Sequence, residues 1–154
     1  MIDIQDLKKS AWIAIDNRSD WLIDVAKTVL QNPEPGFFEI KTSKYVSRKL
    51  EELGITHDSG IALTGLKGYL EGAASGPTVA VIGELDSLRV QGHAHSDPET
   101  NAAHACGHHC QLGMMLGVAA GLLATGVLEG LAGRVAIMAL PAEEFIDVEH
   151  RYGL

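Results

Sequence analysis

The sequence predicts an α/β domain in which a mixed sheet carries helices on both faces. Three observations lead there. Two continuous apolar runs, Val79–Leu85 and Arg134–Leu140, are rich in β-branched and small residues, as expected of strands covered on both sides. Between them lies the long apolar stretch Leu112–Leu128, which supplies the crossover helix that a parallel pair of strands requires. Ahead of the first strand, apolar residues recur at helical spacing in two further segments.

At 154 residues, with 46% hydrophobic and 21% charged residues, the chain fits one folded domain with a real core. A formal charge of −8, with no local block of lysine and arginine, argues against nucleic acid as a partner. Cys106 and Cys110 are the only cysteines, and within a helical turn their geometry rarely suits a disulfide. Thiols beside histidines fit metal ligation and a reducing compartment. The stretch from Met1 to Asp6 shows no secretion signal, so a cytoplasmic location is expected.

In chain order, residues 3 to 31 predict helix broken near Asn17-Arg18-Ser19, with Leu22, Val25, Ala26 and Val29 inward and Ser19 or Asp20 as a cap. Asn32-Pro33-Glu34-Pro35-Gly36 is a stop. A helix follows over 38–53, with Ile40, Val46, Leu50 and Leu53 inward, and Gly54 closes it. From Ile55 the period changes: Ile61–Thr64 and Gly68–Glu71 read as short strands, and Gly72–Pro77 as a turn. The polar segment Arg89–Ala103, with His93 and His95, reads as a loop near the mouth of any site. Leu112–Leu128, 17 residues long, invites a transmembrane reading. A bilayer takes about 20 residues, and Gly113, Gly117 and Gly121 mark a smooth face for close packing. A buried core helix, and no membrane partner, is the expectation.

Open α/β sheets gather ligands beyond the carboxyl ends of their strands. Glu84 and Asp86 end the first strand, Glu143 and Glu144 follow the second, and His104-Ala105-Cys106-Gly107-His108-His109-Cys110 precedes the helix between them. Cys106 as thiolate, His108 as neutral imidazole and Glu144 as carboxylate suit zinc, and also nickel, cobalt or manganese. Glu143 could then take a proton from water and pass it to a leaving amine. Each piece has a bland counterpart. Paired glutamates after a strand are usually a solvated turn, and Cys-x-His alone is a weak signal. Glu84 and Asp86 could be cap or turn residues, His93 and His95 exposed loop residues, and Cys110 a small packed residue. His57 and His150 stand outside any cluster. It is the joint occurrence at the right topological positions that points to a metal-dependent hydrolase centre.

Four segments occur in a telling order: Asn32-Pro33-Glu34-Pro35-Gly36-Phe37-Phe38-Glu39, Gly83-Glu84-Leu85-Asp86-Ser87-Leu88, His104-Ala105-Cys106-Gly107-His108 and Leu140-Pro141-Ala142-Glu143-Glu144. Together they resemble the M20 metallopeptidase family, and within it the amidohydrolase branch of N-acyl-amino-acid, aminobenzoyl-glutamate and auxin-conjugate hydrolases. The resemblance implies a zinc-peptidase-like catalytic domain with two divalent ions in the complete enzyme. It makes Cys106, His108 and Glu144 metal ligands, Cys106 touching both ions. Glu143 becomes the general acid/base, and Asp86 supports it from beside the metal centre. The implied reaction is hydrolysis of an amide bond in an N-acyl amino acid or a peptide-like conjugate.

The chain departs from the family pattern in three ways. His109 stands where many relatives have aspartate, and Glu84-Leu85-Asp86-Ser87-Leu88-Arg89 where many read Asp-x-Asp-Ala-Leu-Pro. Family members are also much longer, supplying two further histidine ligands and an inserted dimerisation lid after the paired glutamates. His150 is too close to Glu144 to replace either histidine. Residues 1–154 are therefore expected to be the N-terminal part of a catalytic domain, without lid or C-terminal part. The alternative is a non-catalytic truncated module that binds metal weakly or self-associates through an open sheet edge, and for the chain taken alone this is the expected behaviour.

Overall fold

Helix and strand periodicity resolve into four helices and six strands in the computed structural model, which describes residues 3–144; His150 lies outside the described residues. Helices α1 (Ile4–Asp16) and α2 (Ser19–Leu30) are separated at the expected break. Asp3 caps α1 by accepting a hydrogen bond from the Gln5 amide. α2 buries Val25 and Val29 but has Arg18 at its cap position, with no side-chain cap bond from Ser19 or Asp20. α3 (Ile40–Glu52) buries Val46 and Leu50, while Ile40, expected inward, is about half exposed. Gly54 ends that helix at φ 74°, a backbone that glycine adopts without a Cβ clash.

Strands β1 (His57–Ile61) and β2 (Gly65–Glu71) form a hairpin. The expected strand over 61–64 is therefore mostly the turn itself, with Ala62 at φ 46° and Leu63 at φ 81°. β3 (Ala74–Glu84) begins inside the segment read as a turn. β4 (Leu88–Arg89) and β5 (Ala102–Ala103) are a minimal pair at the two ends of the polar loop. α4 (His108–Leu122) starts four residues earlier than the apolar stretch and ends before it does, and β6 (Ala132–Leu140) closes the series.

The sheet runs in the order β1-β2-β6-β3, antiparallel twice and then parallel, with Val81 opposite Ile137. This is the mixed α/β sheet that the sequence predicts, with α4 as the crossover between β3 and β6. In register, Leu66, Leu70, Ile137 and Ala139 share one sheet face and one core with Val25, Val29, Val46, Leu50, Leu112, Met115 and Leu116. Among the described residues the helices gather on that face, so the helices that the sequence reading expected on the other face are not among them. The opposite face carries Lys67, Tyr69 and Arg134, with the Arg134 guanidinium stacked 4.1 Å from the Tyr69 ring centroid. The glycines of α4 do form a packing face: Gly117 meets Leu22, and Gly121 meets Ile15 and Ala11. No helix among the described residues is long and apolar enough to cross a membrane.

Candidate metal centre

The crossover connection decides where the site lies. β3 delivers Glu84 and Asp86 to one rim of the sheet, β6 delivers Glu143 and Glu144 to the same rim, and α4 begins between them. Gly107, at φ 102°, precedes α4 and turns the chain so that His108 opens the helix pointing inward, only 1% exposed. One ligand atom each from Cys106, His108 and Glu144 lies within 4.8 Å of the others, and so do ligand atoms of Glu84, His108 and Glu143. Residues spread over some sixty positions thus converge on one imidazole.

His108 is held from behind. Its Nδ1 donates to the Asp86 carbonyl oxygen at 2.9 Å, with Asp86 Oδ1 3.3 Å away but out of hydrogen-bonding alignment. Nε2 faces Glu84 Oε2 at 2.9 Å, Glu143 Oε2 at 3.7 Å and Glu144 Oε1 at 3.8 Å. Asp86 is fully buried, and its Oδ2 accepts from the Glu144 amide at 2.9 Å. One carboxylate therefore touches both a ring and a backbone that carry ligand atoms.

The electrostatics follow from this crowding. Burial pulls the His108 imidazole down, but Asp86 at Nδ1 and Glu84 beyond it more than offset that, pushing it up to about 9. Burial pushes Asp86 up, yet His108 and the Glu144 amide bring it below the usual aspartate range. The Cys106 thiol is raised to about 11, chiefly by its hydrogen bond to Glu144 and then by burial and the neighbouring carboxylates. Glu143 is raised by Glu84 first, then by burial and Glu144. Excess negative charge around a thiol and an imidazole is what a divalent cation relieves. A sulfur, an imidazole nitrogen and carboxylate oxygens within one coordination sphere fit such an ion.

The remaining sequence candidates separate. Glu84, read as a possible cap or turn residue, stands closer to His108 Nε2 than Glu143 or Glu144 does; its place at the end of β3, two residues before Asp86, was the available signal. Cys110, expected to pack as a small apolar residue, is exposed on the first turn of α4. The His104 and His109 rings lie 5.7 Å apart, tilted by 59°; both His104 nitrogens and His109 Nδ1 are buried without a hydrogen-bond partner among the described residues. Burial, with His109 and His108 nearby, pulls His104 down to about 4. His95 is exposed, and its amide donates to His93 Nδ1. His57 bridges Ser47 and the Ile55 carbonyl, tying β1 to α3.

No protein-family model matches the chain. It is 34% identical over 128 residues, 81% of its length, to IAA-amino acid hydrolase ILR1-like 5 of Arabidopsis thaliana. It is 35% identical over 131 residues, again 81% of its length, to thermostable carboxypeptidase 2 of Saccharolobus solfataricus. The chain spans 29% and 32% of these two proteins. Among solved structures it superposes on the YXEP protein of Bacillus subtilis, described as a dinuclear metal binding peptidase from the M20 family. There the TM-score is 0.71 at 29% identity, over 81% of this chain and 36% of that one.

Proposed function

This chain belongs to the M20 peptidase family, in its amidohydrolase branch, and we propose that it supplies one side of a metal centre that hydrolyses the amide bond of an N-acyl amino acid or peptide-like conjugate. The observation that carries this reading is the meeting of Cys106, His108 and Glu144 within 4.8 Å. The names of the two relatives support the substrate class.

In this reading Cys106, His108 and Glu144 hold a divalent ion, with Glu84 at hand for a second; zinc, manganese, nickel and cobalt all suit the donor set. When bound, such an ion supplies Lewis acidity, polarising the amide carbonyl and strengthening water as a nucleophile near neutral pH. Glu143 is the proton carrier. Its carboxylate accepts a proton from the attacking water as the oxygen adds to the carbonyl carbon. It returns that proton to the amide nitrogen as the C–N bond breaks, leaving a carboxylic acid and an amine. The neighbouring Glu84 charge, which raises the Glu143 carboxyl, makes it a better proton acceptor than an ordinary glutamate. Asp86 keeps the Nδ1 proton on His108, so Nε2 is the atom that ligates.

Self-association and a cytoplasmic location belong to the same proposal. β3 pairs on one side only among the described residues, with Val79 57% and Ile82 47% exposed. The two free thiols suit a reducing compartment. The alternative of a non-catalytic module is not favoured, since both curated relatives carry hydrolase or peptidase names.

Metal analysis with a chelator-reversible assay on N-acyl amino acids tests the reading. Retained metal and turnover that Glu143→Gln abolishes without metal loss support it. Substoichiometric metal with no turnover would leave the non-catalytic module.

A further inference from the structure

We propose that Glu39 is a positioning residue of the metal centre: its buried carboxylate sets the backbone of the loop that presents Glu143 and Glu144. This rests on the proposed metal site, but touches none of its ligands.

Glu39 ends the Asn32–Glu39 segment just before α3 and is completely buried. Its Oε1 accepts from the Ala142 amide at 2.8 Å, and its Oε2 accepts from Thr64 Oγ1 at 2.8 Å. Burial raises this carboxyl, while these two donors and the amides of Glu39 and Phe37 work against the shift. A buried carboxylate is costly to keep, and its hydrogen bonds run to the start of β2 and to the loop after β6. Ala142 needs such a tether. It sits at φ 54°, a left-handed backbone that a Cβ-bearing residue adopts reluctantly, and this turn sends Glu143 and Glu144 toward His108. In this loop Glu39 holds Ala142 and Asp86 holds Glu144.

The same segment also grips the loop after β3. The Glu34 carbonyl accepts from the Ser87 amide at 2.9 Å and from Ser87 Oγ at 2.8 Å, one residue beyond Asp86. The Glu34 carboxylate in turn holds the Thr42 amide in the first turn of α3 at 2.8 Å. One short segment thus fixes both loops that carry carboxylates to the site.

The test compares the full chain with Glu39→Gln, Glu39→Met and Thr64→Val by cobalt(II) titration and by amide hydrogen exchange in chelator. Glutamine can still accept from Ala142 through its carbonyl and donate to Thr64 Oγ1, so Glu39→Gln should rescue. Glu39→Met should weaken cobalt binding by about tenfold or more and speed exchange at Ala142 and Glu144, leaving Ile137 and Val46 protected. Thr64→Val should shift both readouts in the same direction by less. Cobalt affinity and Ala142 exchange unchanged in Glu39→Met would overturn the proposal, as would Glu39→Gln failing as badly as Glu39→Met. If the unaltered chain takes up no cobalt, the metal reading fails, while the exchange comparison still decides what Glu39 does. If Glu39→Met does not fold, Thr64→Val decides: faster Ala142 exchange supports the proposal and an unchanged rate overturns it.

Discussion

Asp86 fixes the tautomer of His108: its carbonyl oxygen accepts the Nδ1 proton at 2.9 Å, which leaves Nε2 turned toward three carboxylates. The Asp86 side chain meanwhile holds the Glu144 amide at 2.9 Å. Two ligand-bearing elements, the start of α4 and the loop after β6, are therefore set by one buried residue. That arrangement makes several outcomes calculable.

Asp86→Ala leaves the part-buried Glu144 amide without its acceptor and removes a negative charge from beside His108. The expected loss of stability is about 1–3 kcal/mol, and metal affinity should fall roughly 10–100-fold. Urea denaturation and competition with a chelating dye measure the two separately. Full metal affinity in this variant would show that the Asp86 side chain plays no part in orienting the ligands.

The two histidines predict opposite pH limbs in chelated protein. His108, raised to about 9, binds more protons folded than unfolded between its ordinary 6.5 and that value. Its stabilising contribution is complete below pH 6.5 and is lost as pH rises through about 9. His104, pulled down to about 4, binds fewer protons folded than unfolded. Its contribution is complete above pH 6.5 and is lost as pH falls toward 4, amounting to at most about 3 kcal/mol. Urea midpoints across this range should peak near pH 6.5. His104→Leu should flatten the limb between 6.5 and 4; an unaltered limb there would assign it to other groups.

Cys106 is exposed, yet its thiol is held up at about 11 by the hydrogen bond to Glu144, by burial and by surrounding negative charge. Iodoacetamide should therefore modify Cys106 slowly in chelator, because the thiolate is the reactive form. Glu144→Gln removes the nearest charge and should speed the reaction severalfold, read by mass spectrometry of the Cys106 peptide. A rate indifferent to Glu144 would mean that the thiol does not face that carboxylate.

Much of this was legible in the sequence, because burial patterns repeat. The break at 17–19, the stop at 32–36 and the two parallel strands each carry a local signal that the packing respects. The β1–β2 turn was not legible: Ala62 and Leu63 occupy left-handed positions that glycine or asparagine normally fills, so an apolar run hides a reversal. The exposure of Cys110 was hidden for a related reason. α4 is apolar on nearly every side, so its periodicity does not say which face meets the sheet. Cys106, His108, Glu143 and Glu144 stand in motifs as ligand-type residues; Glu84 and Glu39 lie in the same ordered segments, but their roles emerge from the partners they meet across 24 and 103 positions.

Zinc K-edge X-ray absorption on the zinc-loaded chain tests the central claim most directly. The account predicts a sulfur scatterer at about 2.3 Å beside nitrogen and oxygen at about 2.0–2.2 Å, with the sulfur shell lost in Cys106→Ser and the zinc content reduced in His108→Ala. A coordination shell of nitrogen and oxygen alone, or a sulfur shell that survives Cys106→Ser, would contradict it.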